Sequence, residues 1–151
     1  MLYEFLRNAV YRHLNETLPL IDALNDEVLM RKPFEEGRLL GEVILHMIRS
    51  AEFYMTGLAT EEWAPLSYSL DEYNSADAIK KLTGEVLDKV RRYTDQMHSL
   101  DLSKTIEIFN RSATVAELLL EMIEHSIHHR GQITVYYRLL GIDVPTIPYI
   151  I

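Results

Sequence analysis

Glu121-Met122-Ile123-Glu124-His125-Ser126-Ile127-His128-His129-Arg130-Gly131-Gln132 holds three of the chain's six histidines within five residues. His125 and His129 are four apart, so on an α-helix both project from nearly the same face. The spacing of Val115, Leu118, Met122, His125, His129, Gln132, Tyr136 and Leu139 makes that face the apolar one. Two imidazoles and a carboxamide therefore interrupt a hydrophobic stripe, and polar groups placed there need partners. A metal ion, a buried hydrogen-bond network or a bound ligand would each supply them.

The helix that carries this stretch has readable ends. Thr114-Val115-Ala116-Glu117 has the capping-box pattern, and Gly141 with Pro145 beyond it marks the stop near Leu140. Gly131 inside it costs about 1 kcal/mol in helix propensity, which suggests close packing against another helix. The apolar tail 145–151 is expected to fold back on the domain or on a second subunit. Upstream, Leu6, Val10, Leu14, Ile21 and Leu24 recur at helical spacing from Leu2, with Pro19 expected to kink that helix and Asn25 to start a short further turn. A second long helix spans about Leu39 to Leu58, with Leu39, Val43, His46, Ser50, Phe53 and Gly57 as its seam and Leu40, Ile44, Met47, Ala51 and Tyr54 as a neighbouring apolar row. Such a broad apolar face places His46 inside the fold. A third helix, capped by Ser75, covers about Ala76 to Leu100, with Lys80, Lys81, Lys89, Arg91 and Arg92 on a solvated face.

Four long amphipathic helices imply an all-α, four-helix bundle, one domain over 1–151. The stretch 59–74 carries the only tryptophan, Trp63, and no sustained period. Its aromatics either line the mouth of a pocket or simply pin the loop. Thr105-Ile106-Glu107-Ile108-Phe109-Asn110 alternates as a short extended segment, without a sheet to join. His13 reads as a solvated or partly buried structural histidine, and His98 has no assigned chemistry.

Bulk composition narrows the function classes. At 151 residues and 48% hydrophobic, the chain is long enough for one well-filled core. A net charge of -8 argues against nucleic acid or an anionic membrane as the main partner. The absence of cysteine removes disulfides, thiolate nucleophiles and sulfur-ligated metals, leaving imidazole, carboxylate and amide as donors. Neither a signal sequence nor a run of about 20 apolar residues is present, so the default location is cytoplasmic.

Seam residues of different helices converge in a bundle, which lets His46 meet His125 and His129 across the interior. Three imidazoles would bind a divalent ion and leave a coordination position open for water or substrate. Leu40-Gly41-Glu42-Val43-Ile44-Leu45-His46-Met47-Ile48, followed by His125-Ser126-Ile127-His128-His129-Arg130-Gly131-Gln132-Ile133, resembles the DinB-like superfamily over essentially the whole chain. The resemblance implies a four-helix bundle with a long crossover connection between the second and third helices, which suits residues 59–74. It also implies His46, His125 and His129 as metal ligands, frequent homodimers, and thiol-dependent transferase, isomerase or hydrolase activity. The family name refers to DNA-damage induction and does not imply DNA binding.

A divalent ion on neutral imidazoles lowers the pKa of a bound thiol or water, which suits S-transfer to or from a low-molecular-weight thiol, or hydrolysis of a small-molecule substrate. Imidazole suits zinc and nickel, with iron and copper as further choices. Glu121, one turn before His125, and Glu42, one turn before His46, are candidates to orient an imidazole or to act as a general base; a solvated helix face is the other reading of each. Gln132 hydrogen-bonds at the site or packs, Arg130 forms a structural ion pair, and His128 faces a neighbour or solvent. The alternatives to an enzyme are a non-catalytic metal or small-ligand binding module and a dimeric structural protein.

Overall fold

The computed structural model describes residues 1–147, except for the side chain of Ser99. It is predominantly helical. Helix α1 spans Leu2–Asp22, α2 Asp26–Leu29, α3 Leu40–Thr60, α4 Ala76–Gln96 and α5 Val115–Leu140. A single 3₁₀ turn, Met97–Ser99, follows α4. Helix α3 packs on both α5 and α4, and α1 packs on the same two. That double contact is what the two adjacent apolar rows of α3 require: Val43, Ile44, Met47 and Ala51 are all buried.

The helix ends follow local chemistry. Asn25 Oδ1 accepts from Val28 N at the start of α2, and Ser75 Oγ accepts from Ala78 N at the start of α4. Thr114 and Glu117 form the reciprocal box that opens α5. Gly141, at φ 75°, closes it in the left-handed conformation that glycine adopts without strain. At the start of α3, Glu42 Oε2 accepts from Leu39 N at 3.2 Å.

Several expectations are corrected. The chain is not wholly α: β1 (Thr105–Ile108) pairs antiparallel with β2 (Arg111–Thr114). The two-residue turn between them holds Phe109 and Asn110 at φ 53° and 59°, the type I′ geometry that matches strand twist. Asn110 tolerates that conformation and so supplies the turn; β2 itself, Arg-Ser-Ala-Thr, lacks a strand-like pattern. Gly131 is exposed and a Cβ there would meet nothing within 4 Å, so it marks no close helix contact. Leu139 is exposed while Leu140 is buried. A strict 3-4 seam averages 3.5 residues per turn and drifts about 20° per heptad on a straight helix. Over the length of α5 the buried stripe therefore moves off the expected seam and onto Ile133, Tyr137 and Leu140.

The connection between α3 and α4 is held down at specific points. Trp63 lies flat against Gly57, where an added Cβ would fall 2.2 Å from the indole. Leu70 and Leu29 press on Gly41 in the same way, each 2.6 Å from an added Cβ. Of the apolar tail, Ile147 is buried in the core, and residues 148–151 lie outside the described residues. Among the described residues, no helix is long and apolar enough to cross a membrane.

Candidate metal centre

Helix α3 delivers His46, and α5 delivers His125 and His129 from successive turns. The packing of α3 on α5 brings the three together, with one ring nitrogen of each within 4.8 Å of the others. His125 Nε2 lies 3.2 Å from His46 Nε2 and 3.2 Å from His129 Nε2. Tetrahedral zinc with Zn–N bonds of about 2.0–2.1 Å would need its nitrogens about 3.3 Å apart. His129 is buried, and His46 and His125 are half-buried.

Protons alone leave this arrangement unsatisfied. Gln132 Oε1 sits 2.8 Å from His129 Nδ1, so the Nδ1–H donates to the carboxamide and Nε2 presents a bare lone pair. Arg49 Nη2 lies 3.2 Å from His46 Nδ1 and donates to it, which puts the His46 proton on Nε2. If His125 carries its proton on Nε2, it satisfies His129 and opposes the His46 N–H. With the proton on Nδ1 it accepts from His46 and opposes the lone pair of His129. Either tautomer satisfies one of two contacts; a cation at the centre satisfies all three Nε2 atoms once the His46 proton moves to Nδ1, at the expense of the Arg49 contact. The donor set therefore fits a divalent metal.

The local field also keeps the imidazoles neutral. Burial, then the neighbouring His129 and the Arg38 and Arg49 guanidiniums, push His46 down to about 4. Burial and the other histidines push His125 down to about 4 as well. Burial lowers His129 against the opposing pull of Gln132. Neutral imidazole is the form that binds a metal.

The two candidate glutamates have partners of their own. Glu121 accepts from Arg111 of β2, and Glu42 is committed to the first turn of α3. Gln132 does contact a site imidazole. His128 is exposed, with its ring edge-on to His129 at 4.9 Å between centroids, and it lies outside the cluster. Arg130 is 2% exposed and pairs with Glu16 at 2.7 Å and with His13 Nδ1 at 2.7 Å, the structural ion-pair role expected of it. His13 is thus buried more deeply than expected, within a charged network between α1 and α5.

The sequence reading missed Glu52 and Arg49. Glu52 is buried; Lys89 donates to it at 2.6 Å, so that lysine is not simply solvated, and the Tyr68 hydroxyl donates to its other oxygen at 2.5 Å. Burial and Glu52 push the Tyr68 phenol up. Arg49 Nη1 donates to the Tyr68 carbonyl at 3.3 Å, so the loop is tied to α3 beside His46. Both residues left a sequence signal: Leu45, Ile48 and Met55 frame Glu52 at 3-4 spacing, and Arg49 is one turn after His46.

Known proteins share this arrangement of helices. The DinB family model matches residues 3–150. The chain belongs to the DinB family. Two uncharacterized Bacillus subtilis proteins resemble this DinB-family chain: YjoA is 24% identical over 132 residues, covering 85% of this chain and 84% of YjoA. YrdA is 26% identical over 137 residues, covering 87% and 78% respectively. A crystal structure of a DinB-like protein from Bacillus cereus ATCC 10987 superposes with a TM-score of 0.74 at 25% identity, over 95% of this chain and 96% of that one. The crystal structure of YjoA gives 0.77 at 22% identity, over 93% and 95%.

Proposed function

We propose that this DinB-family chain is a divalent-metal-dependent enzyme in which His46, His125 and His129 hold the ion. The observation that carries the reading is the convergence of three Nε2 atoms, two pairs of them 3.2 Å apart, with no proton arrangement that satisfies both pairs while Arg49 donates to His46 Nδ1. Zinc or nickel suits the three imidazoles best, and iron or copper remains compatible with them. When bound, the ion supplies Lewis acidity that favours the anion of a coordinated thiol or water near neutral pH, which suits S-transfer with a small thiol, or hydrolysis. The chain's own contributions are positional. Gln132 fixes the His129 tautomer, burial keeps the ligands unprotonated, and Arg49 ties the α3–α4 connection to the turn that carries His46.

The reading extends to architecture: one domain, with α1, α3, α4 and α5 forming a four-helix bundle and the α3–α4 connection as its crossover. A homodimer is also proposed. Leu120, Ile127, Val135 and Leu139 are large apolar residues exposed along α5, and a second copy would cover them.

Elemental analysis of protein purified without a histidine tag tests the reading. About one divalent ion per chain is expected, with loss on His129→Ala. Metal-loaded protein is then assayed for thiol conjugation and for ester and amide hydrolysis. Metal-free, chelator-insensitive protein would sink the enzyme reading, and loaded but inert protein would move it to a binding module.

A further inference from the structure

We infer that the cleft beside His46 binds a small carboxylate-bearing molecule, anchored through Arg38 and Arg49, with its apolar part directed along Phe53, Pro65 and Leu66. This deepens the metal-centre reading by naming a substrate class, and it rests on that reading only for the coupling described below. The cleft has a volume of about 310 Å³ and is lined by Arg38, Glu42, Arg49, Tyr68 and Ser69 among others. A second cleft of about 410 Å³ is lined by Arg49, Ser50, Phe53, Pro65 and Leu66. Arg49 is common to both, so a polar end and an apolar end meet at the guanidinium that touches a site histidine.

Charge selects the ligand. The chain carries -8 overall, yet this cleft presents two arginines against one glutamate, a local excess of one positive charge. That excess suits a monoanion better than a phosphate dianion. Arg38 is exposed and has no hydrogen-bond or ion-pair partner among the described residues, so its fork of donors is open to a planar carboxylate.

Arg49 gives the cleft its link to the metal centre. Its Nη2 now donates to His46 Nδ1. With a cation on Nε2, the neutral ring carries its proton on Nδ1, and that N–H would face the arginine N–H. Arg49 Nη2 then needs another acceptor, and a carboxylate in the cleft is placed to provide one. Metal and carboxylate binding should therefore strengthen one another, and by linkage each does so by the same factor.

The test uses 3-phenylpropionate and its uncharged amide as a matched pair, titrated by NMR into the full chain, first freed of metal by chelation and dialysis and then loaded with zinc. The acid is expected to bind the metal-free protein at least tenfold more tightly than the amide. Arg38→Gln and Arg49→Gln should each reduce that preference severalfold. Arg38→Gln is the decisive variant, because the exposed side chain supports nothing else, whereas Arg49 also holds the Tyr68 carbonyl. Zinc should tighten the acid at least threefold in wild type and less in Arg49→Gln. Equal affinity of acid and amide, or a preference untouched by Arg38→Gln, overturns the inference, as does tighter binding of phenyl phosphate. Failure to take up zinc counts against the metal centre instead, and the metal-free titration still decides the carboxylate site.

Discussion

His125 Nε2 lies 3.2 Å from His46 Nε2, although the two residues are 79 positions apart in the chain. His125 also sits 3.2 Å from His129, so it is the shared member of both close contacts. Its loss should therefore damage the centre more than loss of a nearby histidine outside it. His125→Ala is expected to cut the bound divalent metal to below a tenth of the wild-type content, whereas His128→Ala, at an exposed position, should retain it. Metal-to-protein ratios by elemental analysis distinguish the two; equal loss in both variants would count against the assigned ligand set.

Gln132 offers a second handle on the same centre. Its carboxamide oxygen is 2.8 Å from His129 Nδ1 and fixes the ring with Nε2 facing inward. Partners of this kind typically matter about 10–100-fold in metal affinity. Gln132→Leu should weaken metal binding within that range and leave the unfolding midpoint of the metal-free protein nearly unchanged. Competition against a chromophoric chelator measures the first, and denaturant melts the second.

The helices and the histidine triad were legible because period and spacing encode them: the capping box at Thr114, the stop at Gly141 and the i, i+4 histidines are all local signals. The hairpin was not, because β2 has no strand pattern and forms only when Phe109 and Asn110 turn the chain back on β1. Glu42 and Glu121 illustrate another limit. Their spacing to His46 and His125 is suitable, but spacing does not reveal that a helix terminus and Arg111 already occupy those carboxylates. The role of Arg49 depends equally on where the loop carrying Tyr68 lands, which no local pattern specifies.

Burial of the Arg130–Glu16 pair leads to a stability prediction independent of metal. Both side chains are buried, and Arg130 also donates to His13. Removing one partner leaves a buried charge poorly compensated, which typically costs about 3–5 kcal/mol, whereas removing both charges costs less. Glu16→Leu should destabilise more than Glu16→Leu combined with Arg130→Met. Urea unfolding of the two variants gives the comparison, and a double variant at least as unstable as the single would contradict it.

Gly57 permits Trp63 to lie on α3. A Cβ at position 57 would fall 2.2 Å from the indole ring, so Gly57→Ala must displace the tryptophan and the start of the connection with it. Overpacking of this kind costs about 1–3 kcal/mol. Since Trp63 is the only tryptophan, its fluorescence reports the change directly. A red-shifted, more quenchable emission is expected, and an unaltered spectrum would show that the contact is not required.

Acid should destabilise the metal-free protein through its histidines. His46 and His125 are each pushed down to about 4, with burial the first cause in both, and His129 and His13 are lowered as well. In the unfolded chain the same rings titrate near about 6.5. Between roughly 6.5 and 4 the unfolded state therefore takes up protons that the folded state refuses, and unfolding becomes easier as pH falls through that window. Above it both states are neutral and these rings contribute no slope. Carboxylates also begin to titrate at the lower end, so the comparison that isolates the effect is His46→Gln/His125→Gln, which should show a shallower fall in Tm between pH 6.5 and 4.5 than wild type. Added zinc should steepen the wild-type profile, because protons and metal compete for the same nitrogens. An identical slope in the variant would mean that the His46 and His125 rings are not held neutral by the fold, and it would remove their electrostatic support for a metal at the centre.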